Sequence, residues 1–524
     1  MLEKYISKIK LNNLEEKNDF AITIGVFDGL HKGHQFILRE LRKIAYENNL
    51  NSAVISFEEN FSKKLKNLSG LLLTPKEKEE LLSLLGIDYL FLIRFLPDVR
   101  NLVPEEFIKE LINIIPVKYI CVGENFRFGY KKKGDINTLK ELSSSYGFNV
   151  KIFPLFMDSK EVLSSTLIRT LLEERKVEKA REKLGYFYFI KGKVIEGEKL
   201  GKKLGFPTAN IEIPKDKLLP ANGIYKGKII IGSKFYPSAI YIGTKPTFNH
   251  HEKKVEVHIL DYQGELLGEE VEIIFEEFIR EERKFPSIEA LVSQISKDIE
   301  YIKTKKEEHI HVITIDGPAG SGKTTIAKLL AKALDFNYLD SGALYRSVGW
   351  LAKEKNINTE EEILILIKDN PFSWYWDGDK FRIFYKENDI SEIIRTNEIG
   401  NEASKVGTMP KIREILTQWQ KDYFYNTNKG LILEGRDSGT IVFPSATLKV
   451  YLSANLRVRA GRRAQELKED FEKVLNSIKE RDLRDSKRIY APLKIPEDAF
   501  IIDTSNLTPE EVVSKIISLF LKVK

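Results

Sequence analysis

The sequence runs to 524 residues, with 83 Lys and Arg against 77 Asp and Glu and a formal charge of +6. At about 100–200 residues per domain, this length predicts roughly three domains and excludes a small stapled scaffold. The mild positive excess falls short of the clustered basic footprint of a nucleic-acid binder, so no nucleic-acid partner is expected. The single cysteine, Cys121, excludes an intramolecular disulfide framework. The opening MLEKYISKIKLNNLEEKND is charged throughout and lacks the apolar stretch of a signal peptide. No window approaches the ~20 apolar residues of a membrane helix. The expectation is a cytoplasmic protein with no membrane partner and no obligate protein partner.

The first segment opens on a strand, FAITIGVF, and then alternates helical stretches with short apolar strands such as SAVISF, YLFLIRF and VKYICVG. That order predicts a parallel α/β sheet, running to the helix STLIRTLLEERKVEKAREKLG that ends near Gly185. Inside it, GVFDGLHKGH (Gly25 to His34) reads as a strand, a glycine-flexed turn and a helix start. Free N–H groups and the helix dipole make such a start an anion site. His31 and His34, three apart, share one face there and can donate to charge developing on a phosphate. Further on, Ser165 and Thr166 stand where a helix N-cap would sit, with Arg169 about one turn later.

The second segment is β-rich. YFYFIKGKVIEG, GIYKGKIIIGSKFYPSAIYIG, KVEVHILD and EVEIIFEEFI are short strands set off by Gly and Pro, which predicts a barrel or sandwich. GEKLGKKLGFPTANI, from Gly197, is glycine-rich and basic through Lys199, Lys202 and Lys203, and turns at Pro207. A helix, SIEALVSQISKDIEYIK, closes the segment. The charged run Lys303 to Glu308 is the best linker candidate.

The third segment restarts with the buried strand HVITID and returns to α/β order. Gly317, Pro318, Ala319, Gly320, Ser321, Gly322, Lys323 and Thr324 satisfy GxxxxGK[ST] between that strand and a helix, with Thr325 following. In this context backbone N–H groups cradle the β-phosphate of a nucleotide, Lys323 spans β and γ, and Thr324 reaches Mg²⁺. RVRAGRR, from Arg457, is basic on a helical pattern.

The first segment resembles the adenylyltransferase half of bacterial bifunctional riboflavin kinase/FAD synthetases, through GVFDGLHKGH, CVGENFRFGYKKKGD and LSSTLIRTLL. The resemblance implies that the FMN phosphate attacks the α-phosphorus of Mg·ATP and releases pyrophosphate. It puts His31 and His34 at the α-phosphate, and Gly25, Phe27, Asp28, Gly29 and Asn125 in the ATP and flavin site. Ser165, Thr166 and Arg169 would hold phosphates. The sequence departs from the family at EENFSKK, where Glu58 or Glu59 stands in for an acid before an altered turn, and at Leu167.

The second segment resembles the riboflavin kinase half of the same enzymes through PTAN, IGTKPTF, VEVHILD and FIREERKF. The resemblance makes Thr208 and Asn210 the holders of Mg·ATP, with Gly201, Lys202, Gly205 and Pro207 in the ATP loop. Glu256 would be the general base that takes the riboflavin 5′-hydroxyl proton, which an alcohol nucleophile needs. Arg280 would lie near the flavin. Tyr241 stands where the family commonly has Asn.

The third segment resembles bacterial cytidylate kinases through LDSGALYR, DISEIIRT, NEASKVG, PKIREIL, EGRDSGTIVFP and ERDLRDSKR. The resemblance implies a CMP or dCMP site lined by Ser341, Tyr345 and Arg346. Ser404, Arg413 and Asp437 would read the cytosine, Arg436, Arg481 and Arg488 would grip its phosphate, and Asp485 would hold the ribose. RVRAGRR becomes an arginine lid over ATP, with Arg459 and Arg463 foremost. FSWYWDGDKFRIFYKENDI would be a small β-rich insert.

Together these resemblances imply a Rossmann-like α/β nucleotidylyltransferase domain over 1–184, a β-barrel riboflavin kinase domain over 185–302, a linker over 303–308, and an α/β P-loop nucleoside monophosphate kinase domain over 309–524. The substrates are riboflavin, FMN, ATP and CMP or dCMP, with Mg²⁺ as cofactor. Two rivals stay open: a flavin-binding scaffold with only the CMP kinase active, and a third domain that is an RNA-binding NTPase.

Overall fold

The computed structural model describes residues 2–12, 17–58, 69–155, 157–158, 161–197, 201, 204–232, 234–247, 250–304, 310–427, 429–487, 493–496 and 498–523. Its contacts divide the chain into two compact units, Met1–Glu307 with Leu521–Val523, and Glu308–Phe520 with Lys524.

The first unit opens with a six-stranded sheet in the order β1-β4-β3-β2-β5-β6. Its strands are β1 (Ile6–Lys10), β2 (Phe20–Ile24), β3 (Asn51–Phe57), β4 (Tyr89–Ile93), β5 (Val117–Gly123) and β6 (Asn149–Phe153). All pairs are parallel except β1 with β4 at the edge. Every residue of β2 is buried, which is why FAITI reads as a continuous run rather than an alternation. From β2 the chain winds through β3 to β4 on one side, then returns to β5 and β6 on the other. The reversal falls between β2 and β5, so the carboxyl ends of these two strands open a crevice of the kind that binds nucleotides. A two-stranded ribbon, β7 (Met157–Asp158) and β8 (Glu161–Val162), precedes the helix Ser165–Glu173.

Next comes a closed barrel in the order β10-β13-β12-β11-β14-β9. It is built from β9 (Phe189–Ile195), β10 (Thr208–Glu212), β11 (Gly223–Ile231), β12 (Lys234–Thr247), β13 (His250–Ile259) and β14 (Glu270–Arg280). Closure leaves no edge strand to template aggregation. Alternation assigns Ile211, Ile240, Ile242, Val255 and Val257 to the buried interior, and therefore Asn210, Tyr241 and Glu256 to the outer face. The helix Ile288–Thr304 follows. Lys303 and Thr304, expected to start the linker, are its last two residues. A lysine in a final helical turn suits the dipole, and Lys303 Nζ also reaches Asp261 at 2.8 Å. Residues 305–309 lie outside the described residues.

The sheet and the barrel of this unit meet along residues 70–73. Leu71 N donates to Asp216 O at 2.7 Å and Leu218 N to Leu71 O at 2.8 Å. A methyl group at Gly70 would stand 2.8 Å from both the Leu218 Cα and N. Backbone, unlike a side-chain tip, cannot swing aside. Gly70→Ala is therefore expected to cost roughly 1–3 kcal/mol through overpacking. The check is the thermal midpoint of the first unit, which must fall; an unchanged midpoint contradicts the contact.

The second unit is built on a parallel five-stranded sheet in the order β16-β20-β15-β21-β22. Its strands are β15 (Val312–Asp316), β16 (Asn337–Asp340), β20 (Leu431–Gly435), β21 (Leu448–Ser453) and β22 (Phe500–Asp503). β15 is central and wholly buried, and it delivers the glycine-rich loop to the helix Lys323–Leu334. The expected insert is a three-stranded antiparallel sheet of β17 (Phe372–Trp376), β18 (Phe381–Tyr385) and β19 (Asn388–Asp389). The basic helix Leu456–Leu467 packs on the helix Phe471–Lys487 through Ala460, Val474, Leu475 and Ile478.

Candidate active sites

In the α/β part of the first unit, β2 ends in a turn whose backbone takes left-handed values at Phe27 (φ 52°), Gly29 (φ 80°) and Leu30 (φ 39°). Two of these residues are not glycine, so each stores on the order of 1–2 kcal/mol that surrounding bonds must hold. His31 then caps the helix Lys32–Glu47, with its Nδ1 accepting from His34 N at 3.4 Å. The two imidazoles stack with centroids 3.8 Å apart, and His34 lies 5.0 Å from the Phe27 ring. Burial pushes His31 down to about 4. Burial, then the charges of His31 and Lys78, hold His34 well below its ordinary range. Both rings are therefore neutral N–H donors at neutral pH. Asn125 is exposed just past the carboxyl end of β5, the strand beside β2, so the crevice between those two strand ends is flanked by the His pair and Asn125.

The sign of the His31 shift fixes an acid dependence. Its folded value is depressed below the ordinary 6.5, so the unfolded chain binds more protons between those limits. The stability is fully present above pH 6.5 and is lost as pH falls toward 4. The loss from His31 is expected to reach roughly 3 kcal/mol and is read as the difference between wild type and His31→Asn in urea unfolding of the first unit across that range. His34, depressed as well, keeps its own acid dependence in the variant, so the slope should fall without vanishing.

Two expectations for this site shift. The cap of the helix Ser165–Glu173 is Ser164, which accepts from Leu167 N. Ser165 is the first helical residue, and its hydroxyl instead donates to Asp28 O at 2.7 Å. Thr166 is exposed. Arg169, expected beside the triphosphate, is buried and paired with Asp28, and its Nε donates to Gly70 O at 3.1 Å. The Asp28 carboxylate also accepts from Leu72 N and Leu73 N at 3.0 and 3.1 Å. In this state, then, Asp28 and Arg169 hold the turn rather than face the crevice. Glu58 pairs with Arg94 at 3.4 Å; Glu59 and Asn60 lie outside the described residues.

On the barrel, strand register does what sequence distance hides. Asn210 of β10 sits opposite Glu256 of β13, Glu256 opposite Tyr241 of β12, Tyr241 opposite Ile224 of β11, and Ile224 opposite Arg280 of β14. In-register neighbours share a face, so Asn210, Glu256 and Arg280 stand in one outward row. Glu256 pairs with Lys254. Arg280 is held by the Asp298 carboxylate, with Nε and Nη2 both donating to Oδ2 at 2.9 and 2.8 Å. The family-departing Tyr241 donates its hydroxyl to Glu282. The glycine-rich loop closes directly on this row: a methyl at Gly197 would stand 1.8 Å from Asn210 Nδ2, and one at Gly201 would stand 3.1 Å from Thr208 Oγ1. Gly205 and Pro207 are exposed in the same loop. Lys199, Lys202 and Lys203 lie outside the described residues.

In the second unit one cavity of about 570 Å³ opens over the carboxyl ends of the strands. Ala319, Gly320, Ser321, Gly322, Lys323, Thr324 and Thr325 line one part, and Ser341, Tyr345, Arg346, Ser404, Arg413, Arg436, Asp437 and Arg463 line the rest. Arg413 pairs with Asp437 in a buried ion pair, donates to Gly407 O at 3.0 Å and lies over the Tyr345 ring at 5.3 Å. The arginines also hold the loop itself: Arg436 Nη1 donates to Gly317 O at 2.8 Å and Arg459 Nη1 to Ala319 O at 3.1 Å. Lys323 Nζ donates to Pro318 O at 2.8 Å. Arg459, bonded as well to Asp482 at 2.6 Å, is buried rather than free on a lid. Arg463 pairs with Glu466 at the rim at 2.8 Å. The side chains of Arg481 and Asp485, and all of Arg488, lie outside the described residues.

Arg462 and Thr504, not singled out in the sequence, line this cavity with Glu434, the acid of EGRDSGTIVFP, and Asp316 is buried at the end of β15. Arg462 grips Thr504 through its hydroxyl at 3.0 Å, and Thr504 in turn donates to Ser321 O at 3.2 Å. Glu434 accepts from Thr324 Oγ1 at 2.9 Å; burial, with the Asp340 charge added and Lys323 opposing, raises it to about 7. Asp316, raised by burial to about 6, accepts from Ser438 N and Gly439 N at 2.9 and 2.8 Å and so fixes the segment carrying Arg436 and Asp437. The available signal was an acidic residue at or next to the carboxyl end of β15 and of β20, Asp316 and Glu434.

Phosphate loops and helix starts on three separate folds define a multidomain nucleotide-dependent transferase. A family model for FAD synthetase matches residues 13–167, one for riboflavin kinase matches 184–305, and one for cytidylate kinase matches 313–522. The bifunctional riboflavin kinase/FMN adenylyltransferase of Buchnera aphidicola subsp. Schizaphis graminum is 40% identical over 301 residues, covering 56% of this chain and 96% of that protein. The enzyme of the same name from Listeria monocytogenes is 34% identical, covering 53% of this chain and 90% of its own. A crystal structure titled macrolide-efflux protein from Streptococcus pneumoniae superposes with a TM-score of 0.52 at 30% identity, covering 57% of this chain and 98% of that one. The chain belongs to the bifunctional riboflavin kinase/FMN adenylyltransferase family and carries a cytidylate kinase domain after it. Among the described residues no helix is long and apolar enough to cross a membrane.

Proposed function

We propose that this chain phosphorylates riboflavin to FMN, adenylylates FMN to FAD with release of pyrophosphate, and phosphorylates CMP or dCMP to the diphosphate. The observation that carries the reading is convergence. Motifs scattered along the second unit from Ala319 to Arg463 line a single cavity, with the phosphate loop on one side and the Tyr345, Arg413 and Asp437 group on the other. A carboxylate that accepts from an exocyclic amine separates cytosine from uracil, and Asp437, oriented by Arg413, supplies it.

On the barrel, Glu256 beside Asn210 takes the proton of the riboflavin 5′-hydroxyl as it attacks the γ-phosphorus of ATP. In the α/β crevice the FMN phosphate is already ionised and needs no base. The neutral His31 and His34 there donate to charge on the α-phosphate, and the rest is positioning. Mg²⁺ suits the hard oxygen donors of both kinase sites. Thr324 and Glu434 would hold it in one, Thr208 and Asn210 in the other, and it would neutralise phosphate charge when bound. Glu434, whose carboxyl burial pushes up, is a group that a bound cation would ionise. We assign the chain to the cytoplasm, with functional domains over 1–184, 185–302 and 309–524.

The test is product analysis of the purified chain with riboflavin, CMP and Mg·ATP. FMN, FAD, pyrophosphate and CDP are expected. CDP without FMN or FAD would reduce the first unit to a flavin-binding scaffold, a reading the family membership does not favour.

A further inference from the structure

The turn that leads into His31 is held by its carbonyl oxygens, and the donors come from four different elements and the segment that enters the barrel. Val26 O accepts from Lys78 Nζ at 2.8 Å and Ser56 Oγ at 3.1 Å. Asp28 O accepts from Ser165 at 2.7 Å, and Leu30 O from Gln35 Nε2 at 2.8 Å. Gly29 O, two residues before His31, accepts from the hydroxyl of Tyr186 at 2.6 Å. Tyr186 is buried and belongs to the chain entering the barrel, not to the nucleotidyl-transfer fold.

A second link runs through residues 70–73. On one side this segment gives Leu72 N and Leu73 N to Asp28. On the other it faces the barrel loop between β10 and β11, where Lys217 Nζ donates to Leu72 O at 2.8 Å and to Glu77 Oε2 at 2.7 Å. The Lys217 side chain is 0% exposed and that of Glu77 1%. Simple adhesion between two modules would be served as well by apolar side chains, since burying two charges cancels much of their attraction. What the ammonium supplies is a fixed donor for one carbonyl, on the segment that orients Asp28.

We infer that Tyr186 and Lys217, both barrel residues, are positioning residues for FMN adenylylation: they hold the strained Asp28-Gly29-Leu30 turn so that His31 and His34 meet the α-phosphate. The inference rests on the assignment of adenylylation to that crevice. Its consequence is one-way coupling, in which a lesion in the barrel lowers the second flavin step without touching the first, whose groups lie in the Asn210–Glu256 row.

The test uses the full chain and two variants. Tyr186→Phe removes one oxygen and no packing. Lys217→Met is made together with Glu77→Gln, so that no unpaired buried charge remains to unfold the site; the introduced amide oxygen can still accept from Thr74 N, as the carboxylate does. Both are expected to lower kcat for FMN adenylylation about tenfold, as a displaced reacting group does, with KM for FMN and ATP within twofold. Riboflavin phosphorylation and CMP phosphorylation, measured on the same preparations, should stay within twofold. Adenylylation within twofold of wild type in Tyr186→Phe, or a parallel fall in riboflavin phosphorylation, overturns the inference. Wild-type chain that makes FMN and no FAD overturns the assignment of the crevice instead.

Discussion

Lys323→Met is expected to lower CMP phosphorylation about a thousandfold, equivalent to ~4 kcal/mol of transition-state stabilisation, while FMN and FAD formation stay within twofold. Lys323 is the first residue of its helix, and its ammonium is already turned across the loop to Pro318 O. A bound triphosphate thus meets a charge that is in place, not one that must be recruited. Among the described residues no other lysine lines the cavity. The arginines nearest the loop are engaged by its carbonyls and by Asp482, so none is placed to substitute. A second consequence follows from Glu434. Lys323 is the cation that opposes its upward shift, so the variant should push the Glu434 carboxyl further up and weaken it as the ligand proposed for Mg²⁺. Lys323→Arg retains charge but not the compact ammonium and should recover only a fraction of the rate. The check is CDP formation by chromatography at saturating ATP; a loss of less than tenfold would show that the loop lysine is not at the phosphates.

The order of folds was legible because each is announced locally. A strand that enters a glycine-rich turn and a helix, found at two places in the chain, and a run of short strands between them need only periodicity and turn chemistry. The insert β17–β19 was legible for the same reason, from alternation in FSWYWDGDKFRIFY. Register was not. That Asn210, Glu256 and Arg280 share one row depends on pairings between strands far apart in the chain, and a one-residue slip would have sent Glu256 inward. The Asp28–Arg169 pair was hidden for a like reason: both residues belong to phosphate-binding motifs, and only the fold reveals that each neutralises the other. The cap at Ser164 instead of Ser165 reflects two adjacent serines of equal local competence. Tyr186 and Lys217 carried no signal at all, since a tyrosine at a strand entrance and a lysine in a loop are ordinary until their neighbours are known.

His34→Ala is expected to lower FMN adenylylation by about two to three orders of magnitude, the range for losing a fixed donor to developing charge, so that FMN accumulates from riboflavin without FAD. His34 stands on the first turn of its helix with a ring wedged between His31 and Phe27, and its Nδ1 has no hydrogen-bond partner among the described residues. A buried ring nitrogen left unused is costly unless a ligand completes it. The pH dependence separates a donor from a charge. If the pair acted as imidazolium, kcat/KM for ATP, which reports the free enzyme, would fall as pH rose through the ordinary histidine range. Burial holds His31 at about 4 and His34 well below its ordinary range, so both are neutral across that range and the profile should be flat from about pH 6 to 8. An inflection near the ordinary histidine value of about 6.5 that disappears in His34→Ala would mean that the proton, and not the N–H geometry, is what the pair contributes.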